Sequence, residues 1–448
     1  MIYKSILIGS LIISVGFTDN LSLEKAVKLS IQNDSWLIEN KYNQKSIELK
    51  SISAGSYPDP KLSVNMLNLP TDSFDINQEA MTQLKVGISQ QFPRGDSLKI
   101  KQEQLKLQAS KYPYQRENRK TKVIVEVSQL WFEIYKIQET INIITKNRAL
   151  FEQLLDISES SYSSALGKTR QHDIIRAELE LTNLDDRITI LEQKKDKLST
   201  TLSQWFYSLQ NEELSSKNLI DFANLTLPKD IFHVQLINQI FYKSSDENNL
   251  LEEFEKHPAI KSINKEIEAI TKERALAKEK YKPQFALNTS YSYRDDDPSG
   301  KTRSDLISAG FTFDIPLFTK NRQDKDLESS IQKIKAIKSK KELKLRSFLS
   351  SYETIKAQLM RLKQREKLYV NKLIPQTYEQ SEAALNAYTN DDGDFAEVVR
   401  SRIAQLNKDI DALNIKVDIE KNIIKYNYLF SENVDQMLNT INTKGKRL

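Results

Sequence analysis

Apolar side chains recur in steps of four and three along four segments, the spacing of helices that pack through a narrow seam. The first segment runs Val123, Val127, Leu130, Ile134, Ile137, Ile141, Ile144. The second runs from Ala177 through Leu181, Leu184, Ile188, Leu191, Leu198 and Leu202 to Trp205, with Lys195 as a polar interruption. The third runs from Phe348 through Tyr352, Ile355, Leu359, Leu362 and Tyr369 to Leu373, interrupted at Glu366. The fourth runs from Val399 through Ile403, Leu406, Ile410, Leu413 and Val417 to Ile424, interrupted at Glu420. Short breaks at 160–172 and 386–396 join them in pairs, so the pattern predicts two antiparallel helical hairpins. The first long helix is expected from about Ser97 to about Tyr162, roughly 100 Å at ~1.5 Å per residue. Covering its seam takes helices from the other pair or from other subunits. Pro113 and Pro375 fall inside predicted helices, where each removes a donor and should bend the helix locally.

Four further segments alternate with period two. Leu62, Val64 and Met66 are spaced by Ser63 and Asn65, and Leu84, Val86 and Ile88 by Lys85 and Gly87. Phe285, Leu287, Tyr291 and Tyr293 alternate with Gln284, Asn288, Ser290 and Ser292, and Ile307, Ala309, Phe311 and Phe313 with Ser308, Gly310 and Thr312. The expected strands are about 61–68, 82–92, 284–294 and 305–315. Their length and two-faced pattern suit a membrane β-barrel, and a half-buried sheet in a water-soluble domain has the same period.

The order helix, strand pair, helix, helix occurs twice. Ser35 and Pro258, Pro60 and Pro283, and Pro93 and Pro316 all stand 223 apart, and Tyr162-x4-Gly167 returns as Tyr388-x4-Gly393 at an offset of 226. The expected organisation is repeat 1 at 18–206, an equatorial region at 207–256, repeat 2 at 257–432 and a C-terminal tail at 433–448. Four strands are too few to close a membrane barrel, for which the smallest single chains use about eight. A barrel therefore requires several copies, and three would supply twelve strands.

Composition narrows the picture. The 448 residues hold ten Gly and no Cys, with 66 Lys+Arg against 61 Asp+Glu. Residues 114–227 contain no Pro and one Gly, Gly167, which excludes turn-rich folds over that span. The balanced charge argues against a nucleic-acid partner. The Lys-rich run from Lys333 to Lys344 reads as a solvated helix face. The absence of Cys removes disulfides, thiolate metal sites and N-terminal lipidation. Residues 1–17 have the layout of a secretory signal: Lys4, then an apolar stretch, then small residues. No other stretch is apolar for long enough to span a bilayer as a helix.

Candidate chemistry concentrates at the breaks between paired helices. The second carries Asp391, Asp392, Asp394 and Glu397, and a ring of such acids favours cations in a narrow pore. The first is basic, with Lys168 and Arg170, so opposite charges at neighbouring tips could pair and hold a pore closed. The competing reading for the acids is helix capping. His172, His233 and His257 are scattered, His172 beside Asp173 is a weak metal pair, and no phosphate loop or catalytic signature appears. No cofactor and no enzymatic role are expected.

Several runs, taken together and in order, resemble the TolC family of outer-membrane efflux channels over roughly 20–432. They are Pro58-Asp59-Pro60, Asn68-Leu69-Pro70, Met81-Thr82-Gln83, Gln90-Gln91-Phe92-Pro93, Gly167-Lys168 with Gln171, Asp173 and Arg176-Ala177-Glu178, and Pro316-Leu317-Phe318-Thr319-Lys320-Asn321-Arg322-Gln323. The last run is similar to the heavy-metal branch that serves resistance-nodulation-division pumps. The resemblance implies a mainly α-helical homotrimer whose twelve-stranded β-barrel in outer-membrane lipid continues into a periplasmic α-barrel. It implies a passive duct for heavy-metal cations, docked on a periplasmic adaptor and an inner-membrane pump. It places gate acids just past the tips, at Asp173 and Glu397, with Asp391, Asp392 and Asp394 nearby. Adaptor contacts would fall at Tyr162, Gly167, Lys168, Arg170, Tyr388 and Gly393. The chain departs from the family pattern in its wide Tyr-to-Gly tip spacing and in Asp391. A type I secretion or multidrug duct of the same fold, and a periplasmic coiled-coil scaffold or adaptor, stand as alternatives.

Overall fold

The computed structural model describes residues 21–163, 170–206, 227–228, 230–237, 247–390 and 393–442. The expected signal segment, Gly167, Lys168, Asp391, Asp392 and most of the equatorial region lie outside the described residues. The described helices are α1 (Leu23–Gln32), α2 (Ser35–Ala54), α3 (Ser97–Ser163), α4 (Gln171–Ser203), α5 (Glu247–Glu255), α6 (Pro258–Glu279), α7 (Gln323–Leu368), α8 (Ile374–Thr389), α9 (Phe395–Phe430) and α10 (Val434–Asn442). The strands are β1 (Lys61–Leu67), β2 (Gln83–Phe92), β3 (Phe285–Tyr293) and β4 (Leu306–Phe313). Among the described residues no helix is long and apolar enough to cross a membrane.

The chain divides into two compact units that cut across the repeats. One comprises 1–35, 118–253 and 348–448, the other 36–117 and 254–347. Helices α3 and α7 each supply residues to both.

In the helical unit the four-three seams become the core. Val123, Val127, Ile134, Ile144, Tyr352, Leu359, Leu406 and Ile424 are all buried. Helix α3 also buries a second face. Trp131 stacks on Tyr135 at 5.7 Å and meets Phe132 edge-on at 5.3 Å, and its indole N–H donates to the Leu21 carbonyl at 2.9 Å. The polar break at Glu420 is likewise internal. Its carboxylate accepts from the backbone N–H of Val234 at 2.8 Å and lies 2.7 Å from His233 Nδ1. Asn427, two turns on, donates to the Gln235 carbonyl and accepts from the Ile237 N–H, so α9 carries two polar groups that bind one extended segment. Within the segment expected as a C-terminal tail, Val434–Asn442 forms α10, with Met437 and Ile441 buried.

Burial pushes the Glu420 carboxyl above its ordinary value of 4.5, against the opposing pull of Val234 N–H and His233 and with Glu366 also raising it. The folded chain thus holds a proton here more tightly than the unfolded chain does. The stabilisation is complete below pH 4.5 and falls as pH rises through the elevated value. Glu420→Gln is expected to flatten that part of the profile, which the thermal midpoint in detergent measured against pH would show.

Pro375 is accommodated differently from the expected simple bend. A π-helical turn, Tyr369–Leu373, precedes it, and the Ile374 N–H reaches the Tyr369 carbonyl. Widening the turn ahead of the ring relieves the clash that proline imposes on the preceding turn. Pro375 then lies in the first turn of α8, directly after the widened turn. Pro113 is carried inside α3.

In the other unit the four strands form one antiparallel meander in the order β1-β2-β3-β4. The central β2–β3 pairing joins strands from the two repeats. Asn68 sits at φ 55°, in the left-handed region that asparagine tolerates. Its side chain donates to the Met81 carbonyl at 3.0 Å while Thr82 Oγ1 donates to the Asn68 carbonyl at 2.7 Å, closing the β1–β2 hairpin. The lysine run on α7 is partly paired rather than only solvated. Lys333 bonds Glu273 at 2.6 Å and Lys340 bonds Glu266 at 3.1 Å, one heptad apart, and Lys280 bonds Asp326 at 2.6 Å one heptad before. Exposed pairs of this kind contribute ~0–1 kcal/mol each, and the repeat fixes antiparallel register more than it adds stability.

Candidate functional site: a two-faced sheet and the hairpin tips

The register of the sheet sorts most of its side chains by face. Leu62 stands opposite Ile88, Val64 opposite Val86, and Met66 opposite Leu84. Val86 continues to Tyr291, and Tyr291 to Ile307; Phe92 continues to Phe285, and Phe285 to Phe313. These apolar rows share one face, and most of their side chains are exposed, Ile307 by 84%. Ser63, Gly87, Ser290 and Ser308 form a row on the other face, flanked by Asn65, Lys85, Ser89, Asn288 and Gly310. A sheet in a water-soluble domain buries its apolar face on a core; here the polar face is the concave one, lining a shallow groove. Aromatic rows mark both ends of the apolar face. Phe92, Phe285 and Phe313 stand where the strands meet helices, and Tyr291 and Tyr293 stand toward the loops. Such girdles flank the lipid-facing band of membrane strands. Among the described residues the outer strands β1 and β4 each leave one edge unpaired.

The tip ends of the hairpins lie in the helical unit. There α3, α4, α8 and α9 share one apolar cluster built on Ile144, Phe151, Leu154, Ala177, Leu184 and Phe395. At the second tip Tyr388 packs edge-on against Phe395 at 5.4 Å. Gly393 lies so close to the end of α8 that a Cβ there would stand 2.6 Å from the Tyr388 nitrogen and 2.8 Å from the Ala387 carbonyl carbon. Gly393→Ala is expected to destabilise the turn by ~1–3 kcal/mol, seen as faster amide exchange at the ends of α8 and α9. An unchanged exchange pattern would show that the turn can shift without cost.

The tip acids divide by role. Asp173 is 6% exposed and accepts the Arg170 N–H at 3.1 Å, a capping contact at the start of α4. Its other oxygen has no hydrogen-bond partner among the described residues and lies 3.2 Å from His172 Nε2. Asp394 caps α9 by accepting the Ala396 N–H at 3.2 Å, and its side chain stays at the surface. Glu397 pairs with Arg400 at 2.6 Å, both partly exposed. Tyr162 is exposed on the last turn of α3, and Arg170 is exposed at the start of α4. No ion pair joins Arg170 to Asp394 among the described residues. The chain therefore brings Tyr388 and Gly393 together as a packed turn and gives Asp173 and Asp394 capping positions.

Arg402 went unnoticed in the sequence. It is buried on α9, pairs with Glu382 of α8 at 2.8 Å, and donates to Ser381 Oγ and Gln405 Oε1. Its signal lay in the repeat, since Arg402 and Glu382 stand 226 residues after Arg176 and Asp156. Among the described residues no group of three His, Asp or Glu side chains gathers in a way that would hold a metal.

Neither a protein-family model nor a curated protein sequence matches the chain. Solved structures do. The outer membrane protein VceC of Vibrio cholerae superposes with a TM-score of 0.72 at 11% identity, over 91% of this chain and 95% of that one. CusC, whose structures describe transmembrane channel formation, gives 0.70 at 12% identity over 93% and 95%. The outer membrane channel CmeC of Campylobacter jejuni gives 0.70 at 13% identity over 92% and 85%. At these identities the likeness establishes the fold.

Proposed function

We propose that this chain, which has the fold of the TolC-family outer-membrane channels, is itself the outer-membrane duct of a tripartite export assembly. One observation carries the proposal: a single four-stranded sheet with an exposed apolar face, a polar face, aromatic rows at both ends and two open edges. Lipid is the solvent that suits the first face. Edge pairing between copies suits the open edges, because a barrel leaves none. Three copies give the twelve strands of the proposed trimer, and the helical hairpins then extend into the periplasm toward an adaptor and an inner-membrane pump. The duct is passive and performs no chemistry.

Within it, Asp394 and Glu397 keep their carboxylates at the surface of the second tip and are the gate acids we favour, with Tyr162 and Arg170 as adaptor contacts. Asp173 is assigned to capping. The run Pro316–Gln323, which suggested heavy-metal cargo, follows β4 and ends at the buried Gln323 of α7, with Leu317 and Phe318 exposed, Phe318 by 85%. Its position beside the Phe92, Phe285 and Phe313 row suits a membrane-interface anchor better than a cargo determinant, so cargo is left to assay. Membrane fractionation tests the reading. The expected result is a heat-dissociable oligomer in the outer-membrane fraction, and recovery of the whole population in the soluble periplasm would refute it.

A further inference from the structure

The four strands contain no Asp or Glu, and their only charged side chains are Lys61 and Lys85. The register puts both on the polar face. Lys61 stands opposite Ser89 at the helix end of β1, and Lys85 stands between Asn65 and Ser292 near the loop end of β2. The residues between them on that face are Ser63, Gly87, Ser89, Asn288, Ser290 and Gly310, small or neutral. Neither lysine forms an ion pair among the described residues. Near the strand ends Arg94 pairs with Asp314, Asp305 accepts from the Tyr291 hydroxyl and the Arg294 N–H, and Asp59, Asp295 and Asp296 stand in the flanking segments. Within the strands, the formal charge on the polar face is therefore that of two ammonium groups.

We infer that Lys61 and Lys85 form two basic rings in the strand-walled lumen, and that these rings bias passage toward anionic solutes. The inference rests on the proposed duct, in which the polar face lines the lumen and each ring holds one lysine per copy. Rings of basic side chains favour anions in a pore, and substitutions on the lumen face of a barrel retune selectivity. The acids at the hairpin tips act in series with these rings, so the lysines are read by the change their removal makes. A lysine ring also opposes free divalent metal cations, which sets this lumen against bare metal ions as cargo.

The experiment is the reversal potential of the purified full-length protein in planar bilayers under a KCl gradient. Lys61→Gln with Lys85→Gln should shift the potential toward cation preference at unchanged open conductance. Lys85→Glu should shift it further in the same direction, and every shift should shrink in concentrated salt as the charges are screened. Conducting variants whose reversal potentials equal that of the unsubstituted protein would overturn the inference and leave the duct standing. A protein that never conducts, even with the tip acids Asp394 and Glu397 neutralised, would overturn the duct, and the inference with it.

Discussion

Ile88→Arg is expected to block insertion and oligomer formation, whereas Ser290→Arg is expected to leave both intact. The two positions lie mid-strand in adjacent paired strands, on opposite faces. Ile88 stands between Leu62 and Thr289 on the exposed apolar face. Ser290 stands between Gly87 and Ser308 on the polar face, where the neighbouring glycine leaves room. Arginine at the midplane of a lipid-facing strand costs ~2–4 kcal/mol per copy, and three copies would multiply that cost in one barrel. On the lumen side the guanidinium stays in water. The check is the amount of heat-dissociable oligomer in purified outer membranes. Equal loss from both variants would mean that the two faces do not see different solvents.

Trp131→Ala carries the largest expected effect in the helical unit. The side chain is 1% exposed, stacked on Tyr135, in contact with Phe132, and tied to Leu21 by its indole N–H. Truncating a buried tryptophan costs ~3–5 kcal/mol through lost transfer energy and the cavity left behind. Trp131→Phe keeps most of the volume and leaves the Leu21 carbonyl without its donor, a cost of ~1–3 kcal/mol. Thermal unfolding in detergent, followed by circular dichroism, should therefore rank the unsubstituted chain above Trp131→Phe and Trp131→Phe above Trp131→Ala. If Trp131→Phe fell as far as Trp131→Ala, the hydrogen bond rather than the packing would hold the N-terminal segment.

Elements with one dominant period were legible before any coordinates. Leu62, Val64 and Met66 alternate because successive side chains on a strand point to opposite faces, and period two survives any tertiary detail. The seam from Val123 to Ile144 was legible for the same reason on a helix. What escaped was whatever depends on partners distant in sequence. Trp131 and Tyr135 lie off the seam and are buried because α3 packs on two sides, which a single heptad line does not encode. Glu420 looked like a flaw in a seam and is the acceptor for the Val234 N–H, some 186 residues away, with His233 beside it. Asp173 carried two readings from sequence, gate and cap, because both place an acid in the first turn of a helix. The Arg170 N–H pointing at its carboxylate supports the cap. Arg402 was missed because an arginine in a charged helix looks solvated until the facing Glu382 is seen.

The chain contains no cysteine, so single-cysteine variants along Phe285–Tyr293 give a direct test of the two-faced sheet. Each would carry a spin label in outer-membrane vesicles and be read against a lipid-soluble and a water-soluble relaxation agent. The expected result is strict alternation, with labels at Phe285, Leu287, Thr289, Tyr291 and Tyr293 exposed to the lipid-soluble agent and labels at Ala286, Asn288, Ser290 and Ser292 exposed to the aqueous one. Labels reached equally by the aqueous agent on both faces would contradict the membrane barrel and the duct built on it.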